Sequence, residues 1–403
     1  MKTAIVLSGG GAKGAYQIGF WKAIRKLKIK YDIVTGTSIG AINGAFMVQN
    51  SYHKVHSLWS TMNYKKIYNL DINSSYYTNE GRKKILLGYT KHILKGGIKT
   101  PGLESMINDI INPDKFFKSN IDYGLVTVKY PSLKPFYVKK SDMTKELLCD
   151  YILASSACFP AFSPKKINDE YFIDGGYYDN MPINLAIDMG AEKIIAVDLR
   201  AIGINRKIKD KSIDITIIKS NNKIGDVLVM EKDQINHDIK IGYNDTMKAF
   251  GKLEGDLYTF KKDSLHRNNV RYQKRFDELF DKYFVSNRLF KHLLYKDKID
   301  LNKVIEFTAL NFGVDDTKIY SAPIMNYEIK NKYKACVYKN YFDIRRLLKS
   351  KNLNKKNTKL YKKIICYIYN EVLKEDKSKI SYSIANMFPE CFLSAIYLKT
   401  IMK

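Results

Sequence analysis

The chain has 403 residues, of which 45% are hydrophobic and 13% aromatic, and its formal net charge is +27. This composition excludes a disordered chain, and the length suffices for two or three domains with buried cores. The excess of basic residues favours an anionic partner, either a phospholipid surface or nucleic acid, although a composition rich in Lys, Asn, Ile and Tyr also accounts for part of the charge.

The first elements that the pattern predicts are a strand at residues 3–8, a glycine-rich loop at 9–14 and a helix that continues to Leu27. The apolar run before the loop is too short for the core of a signal peptide. No apolar run approaches the roughly 20 residues that span a bilayer. The five cysteines are widely spaced and form no C-x-x-C pair, which fits a reducing compartment. We therefore expect a cytoplasmic protein with peripheral membrane association.

A second strand, at residues 33–35, leads into a motif in which Gly36 and Gly40 flank Ser38. The spacing G-x-S-x-G is typical of a sharp turn from strand to helix that exposes a serine, and glycine avoids a collision across that turn. We predict that Ser38 is a nucleophile, with the N-terminus of the next helix favouring negative charge beside it. An ordinary β-turn is the alternative that this motif alone leaves open.

The glycine loop also matches G-x-G-x-x-G, the fingerprint of dinucleotide-binding folds. That interpretation requires an acidic residue at the far end of the second strand, but Asp32 stands at its start. We instead expect the backbone N–H groups of Gly9, Gly10 and Gly11 to lie beside Ser38. Adjacent parallel strands place both loops at one edge of a sheet, where these N–H groups can hold the oxyanion of an acyl-transfer intermediate.

The pattern then indicates helices and loops between residues 53 and 120, with Pro101 in the first turn of one helix. Further strands are predicted at 124–129, 135–138, 171–173, 193–198 and 213–218, and helices at 144–155 and 183–189. Beyond Ser264 the apolar spacing is helical, and the polar faces are basic. These helices either pack in a core, which is the commoner case, or lie on an anionic membrane. We expect a catalytic domain at 1–220, a connector at 221–263 and a basic helical domain at 264–403.

A serine nucleophile needs a base, and two candidates follow from the sequence. His237 follows Ser38 and Asp174 in the chain order of an α/β-hydrolase triad, but it lies in a polar helical pattern. The other candidate is Asp174 itself, which precedes Gly175 and Gly176 in a turn. Apolar surroundings would raise its pKa enough for a base at neutral pH.

Four stretches occur in order in the first half of the chain: the loop at 9–14, the Ser38 motif, residues 154–164, and Asp174 to Gly176 followed by Asn180 and Pro182. Together they resemble the patatin-like phospholipase family. The resemblance implies a three-layer α/β/α fold and a Ser-Asp dyad, with Ser38 as nucleophile, Asp174 as base and the loop as oxyanion hole. It also implies that no metal or cofactor is needed and that further motif positions support the site, namely Lys13, Gly14, Gly36, Gly40, Gly175 and Gly176.

We therefore expect a metal-independent serine hydrolase of phospholipid or related lipid esters, acting at an anionic membrane surface. The basic C-terminal region carries no aromatic or zinc signature, so we expect no nucleic-acid partner. Two alternatives remain. One is a carboxylesterase or thioesterase that acts on soluble acyl substrates with the same residues. The other is a membrane-binding module in which the catalytic fold is idle.

Overall fold

The computed structural model describes residues 1–63, 101–284, 299–336, 358–374 and 387–402, and isolated positions between 78 and 87. Parts of the predicted helical stretches, at 64–77, 88–100, 285–298, 337–357 and 375–386, lie outside the described residues. The chain forms two compact units, Met1–Ala249 and Phe250–Lys403.

The described residues of the first unit form a mixed sheet. Its strands are β1 (Thr3–Leu7), β2 (Ile33–Thr37), β3 (Asp122–Tyr130), β4 (Pro135–Lys139), β5 (Lys165–Ile167), β6 (Glu170–Asp174), β7 (Lys193–Asp198) and β8 (Asp214–Lys219). The spatial order is β5-β6-β3-β2-β1-β7-β8, and β4 also pairs with β3. Strands β3, β2, β1, β7 and β8 are parallel, whereas β4 and β6 pair antiparallel with β3. The carboxyl ends of the five parallel strands therefore lie along one edge.

Helices connect these strands. Their bounds are α1 (Ala15–Lys26), α2 (Ile39–Val48), α3 (Tyr52–Ser60), α4 (Pro101–Ile110), α5 (Pro113–Lys118), α6 (Leu148–Ser155), α7 (Ile183–Asp188) and α8 (Lys232–Ala249). Helix α7 covers one face of the sheet, where it is buried with Ala4 and Val6 of β1. Helix α2 covers the opposite face, where its Gly44 approaches Val34 of β2.

The central strands β1 and β7 are almost continuously apolar because helices bury both of their faces. On the α2 side, α1 packs closely against α8. A Cβ atom at Gly19 would stand 1.9 Å from the Ile239 carbonyl oxygen, and one at Gly242 would stand 2.0 Å from that of Tyr16. Glycine at both positions therefore allows the two backbones to approach. These packed layers confirm the α/β/α fold.

The second unit is mainly helical. Its elements are a small sheet of β9 (Leu253–Glu254), β10 (Thr259–Lys261) and β11 (Ile319–Tyr320), the helices α9 (Ser264–Phe284), α10 (Leu301–Asn311), α11 (Ala322–Lys334), α12 (Thr358–Tyr367) and α13 (Pro389–Ile401), and a π-helical segment, Ile368–Lys374. This confirms the helical C-terminal region. The apolar side of α9 packs in a core, where Phe276 stacks on Phe280 and Phe280 contacts Phe392. Among the described helices, none has the length and apolar content needed to cross a bilayer.

Candidate active site

Ser38 stands at the bend between β2 and α2, at the carboxyl edge of the sheet. Its backbone angles, φ 56° and ψ −127°, lie in a region that residues other than glycine rarely adopt. The residue is partly exposed, whereas almost everything around it is buried. A strained turn of this kind lifts a serine out of the strand and toward solvent, as the motif predicts.

The two glycines that flank Ser38 are required by close contacts. A Cβ atom at Gly36 would lie 2.3 Å from the carbonyl oxygen of Gly40. A Cβ atom at Gly40 would lie 2.2 Å from the carbonyl oxygen of Leu7, at the end of β1. The strand therefore folds directly back onto the first turn of α2, and that turn lies against β1. Gly14 likewise admits the first residue of α2, since a Cβ there would meet Ile39 at 2.4 Å.

Strand register brings Asp174 to Ser38. Thr37, the last residue of β2, pairs with Val126 of β3, and the next residue of β3, Thr127, pairs with Asp174. Because β6 runs antiparallel to β3, it starts at the carboxyl edge and ends with Asp174 beside the end of β2. Two residues far apart in sequence thus meet across one strand.

Asp174 is a buried acid, with 6% of its surface exposed. Burial raises its pKa from 3.8 to about 6, although the Ser38 hydroxyl and the Gly176 N–H both interact with the carboxylate and lower the pKa. The Gly176 N–H donates to Oδ1 at 2.7 Å. The neighbouring Gly175 allows the turn to approach β3, since a Cβ there would lie 2.1 Å from the Val126 carbonyl oxygen. The carboxylate is therefore fixed, partly desolvated and close to the Ser38 hydroxyl.

The glycine loop lies beside Ser38, but its three N–H groups are not equivalent. Gly9 donates its N–H to the carbonyl oxygen of Asn180 at 3.0 Å, so this group, which was included in the expected oxyanion hole, is already bonded. In the described part of the chain, neither Gly10 nor Gly11 donates its N–H to a protein acceptor. A Cβ atom at Gly9 would stand 3.2 Å from Ser38 Cβ, so the loop and the serine are in contact. The available donors are thus those of Gly10 and Gly11.

Several contacts hold the loop in place. Gln17 donates its side-chain amide to the Ser8 carbonyl oxygen at 2.8 Å, and Asn43 of α2 donates to the Gly14 carbonyl oxygen at 3.1 Å. The Lys13 ammonium group lies 3.3 Å from the carbonyl oxygen of Arg200, in the segment that follows β7. Lys13 therefore ties the loop to the next strand along the sheet.

Ser155 is a supporting residue whose role the sequence did not reveal. Its hydroxyl donates to the Val126 carbonyl oxygen at 2.7 Å and accepts the N–H of Ser38 at 3.0 Å. It thereby joins the Ser38 turn to β3, and it is fully buried. The residue lies in the stretch 154–164, one of the four motifs, so the motif marked its position but not its contacts.

His237, the alternative base, lies in α8. Its Nδ1 is 3.1 Å from Oδ1 of Asp238 and 3.4 Å from Nε2 of Gln234. The groups that lower the pKa of Asp174 are the Ser38 hydroxyl and the Gly176 N–H, with no histidine among them. Among the described residues, Ser38 therefore lies beside Asp174 and no histidine lies between the two.

Comparison with known proteins relates the first half of the chain to a protein family. Residues 5–187 match the family model described as patatin-like phospholipase, which confirms the resemblance seen in the motifs. Over 207 residues the chain is 30% identical to patatin-like phospholipase domain-containing protein 7 of Rattus norvegicus, a match that covers 49% of this chain and 13% of the rat protein. Over 203 residues it is 27% identical to lysophospholipase NTE1 of Mycosarcoma maydis, with 50% of this chain and 10% of that protein covered.

A viral protein matches over a greater share of its length. The chain is 25% identical over 285 residues to the probable lipid hydrolase 463L of Invertebrate iridescent virus 6, which covers 66% of this chain and 91% of the viral protein. The chain therefore spans only about an eighth of the rat protein and a tenth of the fungal one, but most of the viral one.

Proposed function

We propose that this chain is a serine hydrolase of lipid acyl esters, since its residues 5–187 match the patatin-like phospholipase family model. The observation that carries the proposal is the proximity of the Ser38 hydroxyl, at a strained turn, to the buried carboxylate of Asp174. A carboxylate with a pKa of about 6 is ionised at neutral pH and is more basic than an exposed aspartate.

In the first half of the reaction, Ser38 Oγ attacks the carbonyl carbon of the ester and its proton passes to Asp174. The carbonyl oxygen becomes an oxyanion, which the N–H groups of Gly10 and Gly11 stabilise. Removing one such donor typically costs about 3 to 4 kcal/mol of transition-state stabilisation. The bond to the leaving alcohol then breaks, the proton on Asp174 passes to the alcohol oxygen, and an acyl-enzyme remains on Ser38.

In the second half, water attacks the acyl-enzyme and gives its proton to Asp174. The second tetrahedral intermediate collapses, Ser38 Oγ takes the proton back from Asp174, and the fatty acid leaves. Asp174 thus acts as base and acid in turn, and the site returns to its starting state. A histidine is not required for either half.

The substrate class rests on the relatives and on charge. The fungal relative is named a lysophospholipase and the viral one a probable lipid hydrolase, and the domain family takes its name from phospholipases. The net charge of +27 favours contact with anionic lipid surfaces. We therefore propose phospholipid or lysophospholipid esters, presented at an anionic membrane surface, as the substrates.

The test is the release of fatty acid from anionic phospholipid or lysophospholipid dispersions, with a metal chelator present. We expect the wild type to release fatty acid and Ser38→Ala to be at least about a thousandfold slower, because the nucleophile is lost. His237→Ala serves as the control and should retain most of the activity. Full activity in Ser38→Ala would contradict the proposal, and an equal loss in His237→Ala would favour a triad.

The same assay separates lipid hydrolysis from the hydrolysis of soluble esters. A lipid hydrolase should turn over aggregated phospholipid faster than a short-chain ester below its aggregation concentration. Equal or faster turnover of the monomeric ester would favour a carboxylesterase or thioesterase with the same residues. Vesicle binding without turnover of any ester would favour an idle catalytic fold.

A further inference from the structure

The segment that follows β7, residues 199–209, presents an apolar side chain to solvent beside the active site. Ile202 is 98% exposed and Ile204 is 51% exposed. A single exposed isoleucine is ordinary on a protein surface. The position and the surroundings of this segment, which we call the rim loop, make Ile202 different.

The rim loop is bonded directly to the active-site turns. Ile204 donates its N–H to the carbonyl oxygen of Gly176 at 3.0 Å and accepts the N–H of Asn180 at 2.7 Å. Gly203 lies against Asn180, and a Cβ atom at Gly10 would stand 3.2 Å from Cβ of Ala201. The backbone on both sides of Ile202 is therefore anchored to the turns that hold Asp174 and the oxyanion donors.

A second apolar tip lies on the other side of the site, in the turn between β3 and β4. Leu133 is 59% exposed, and its φ of 57° is unusual for a bulky residue, since such a position normally takes glycine or asparagine. Its N–H donates to the Lys129 carbonyl oxygen at 2.8 Å, which fixes the turn. An exposed leucine at such a position adds nothing to local stability, which points to a role outside the fold.

Sheet order places the two tips on either side of Ser38. The rim loop follows β7 and the Leu133 turn follows β3, and the order along the sheet is β3-β2-β1-β7. Because these four strands are parallel, both tips and the Ser38 turn leave the sheet at its carboxyl edge. The substrate-binding edge is thus flanked by one apolar tip at each side.

Basic residues accompany both apolar tips in the sequence. Residues 199–209 contain four basic and no acidic residues, and Lys134 follows Leu133. The guanidinium group of Arg206 lies 4.4 Å from the centre of the Tyr178 ring, and Lys209 pairs with Asp188 at 2.9 Å. Apolar side chains that project from a basic rim fit a bilayer with anionic head groups, where the apolar tips enter the acyl boundary and the basic groups meet phosphate.

We propose that the rim loop and the Leu133 turn form a membrane-docking rim, which seats the Ser38 edge of the sheet on an anionic phospholipid surface. The inference rests on the proposed function for its purpose, because docking would bring lipid esters to Ser38. The docking itself does not depend on turnover. It can therefore be measured in a variant that lacks the nucleophile.

The experiment uses the full chain carrying Ser38→Ala and sedimentation with vesicles of mixed phosphatidylcholine and phosphatidylserine. Ile202→Asp and Leu133→Asp are each compared with Ile217→Asp, which changes an isoleucine of β8 that is 44% exposed. We expect each rim variant to weaken vesicle binding at least about tenfold, because a charged side chain replaces an apolar one that would be buried. The control should bind as the parent does.

A second measurement guards against a folding defect in the aspartate variants. Ile202→Trp places an indole at the tip, and its fluorescence should shift to the blue on anionic vesicles and be quenched by brominated acyl chains. The native tryptophans Trp21 and Trp59 are both buried. Parent-like vesicle binding by both aspartate variants, or an indole that stays in water on bound vesicles, would overturn the proposal. If vesicle binding depends on Ile202 but the wild type hydrolyses no ester, docking stands and only the proposed function fails.

Discussion

Replacing Asp174 by asparagine should abolish hydrolysis and yet make the protein more stable at neutral pH. Burial raises the pKa of Asp174 from 3.8 to about 6 in the folded protein. The folded state therefore binds a proton more tightly than the unfolded state, and the free energy of unfolding falls as the pH rises from about 4 to about 6. The difference in pKa corresponds to about 3 kcal/mol. At every pH above that range, the free energy of unfolding of the wild type is lower by this amount.

Asparagine has the same shape and carries no charge, so the variant escapes this loss. Its Oδ1 can still accept the Gly176 N–H, which lies 2.7 Å from Oδ1 of Asp174 in the wild type. We expect Asp174→Asn to be more stable than the wild type by up to about 3 kcal/mol at pH 8 and by almost nothing at pH 4. In a domain of this size, each 1 kcal/mol raises Tm by about 2 to 4 °C.

Calorimetric melting of both proteins between pH 4 and pH 8 measures this difference, and it resolves the two units if they unfold separately. Asp210→Asn is the matched control. Asp210 is exposed, and a hydrogen bond from Ser212 lowers its pKa, so its replacement should not stabilise the protein at pH 8. A Tm for Asp174→Asn at or below that of the wild type at pH 8 would refute the assignment of a buried, destabilising carboxylate.

Three further predictions concern the rate. Because Asp174 must be ionised to accept a proton, kcat/KM on a soluble ester should fall about tenfold per pH unit below about pH 6, and a flat profile down to pH 5 would argue against Asp174 as base. Ser155→Ala leaves the Ser38 N–H without its acceptor, so kcat should fall about tenfold or more with little change in KM. Ser155→Thr keeps a hydroxyl acceptor and should have a kcat between those of Ser155→Ala and the wild type. Gly11→Ala should lower kcat about a hundredfold, because the new Cβ atom would lie 2.2 Å from the Val227 carbonyl oxygen, at a φ of +55°, and would displace the N–H donor. A rate equal to that of the wild type would exclude this loop as the oxyanion hole.

Local features of the site could be predicted from the sequence because they depend on short-range sterics. The spacing of Gly36, Ser38 and Gly40 specifies a turn that few other residues permit, and the structure places these residues at that turn. The alternation of apolar runs and helical patterns predicted the strands and helices, and the resemblance of the motifs implied the three-layer α/β/α fold. Each of these signals lies within a few residues of the feature it describes.

Features that depend on long-range register could not be predicted. The sequence does not indicate that β6 runs antiparallel to β3, yet this pairing carries Asp174 to Ser38. Nor does it indicate that the Gly9 N–H is already bonded to Asn180, which leaves Gly10 and Gly11 as the donors. The role of Ser155 is hidden for the same reason, since its partners lie in two other elements. Such contacts arise only when distant segments pack.

Covalent trapping tests the account most directly. The wild type and the variants Ser38→Ala and Asp174→Asn are treated with a long-chain alkyl fluorophosphonate, which forms a stable bond with an activated serine, and the adduct is located by peptide mass spectrometry. The account predicts one adduct on Ser38 in the wild type, none in Ser38→Ala, and much slower labelling in Asp174→Asn. An adduct on another residue, or labelling of Ser38 at an undiminished rate without Asp174, would contradict the Ser38–Asp174 dyad.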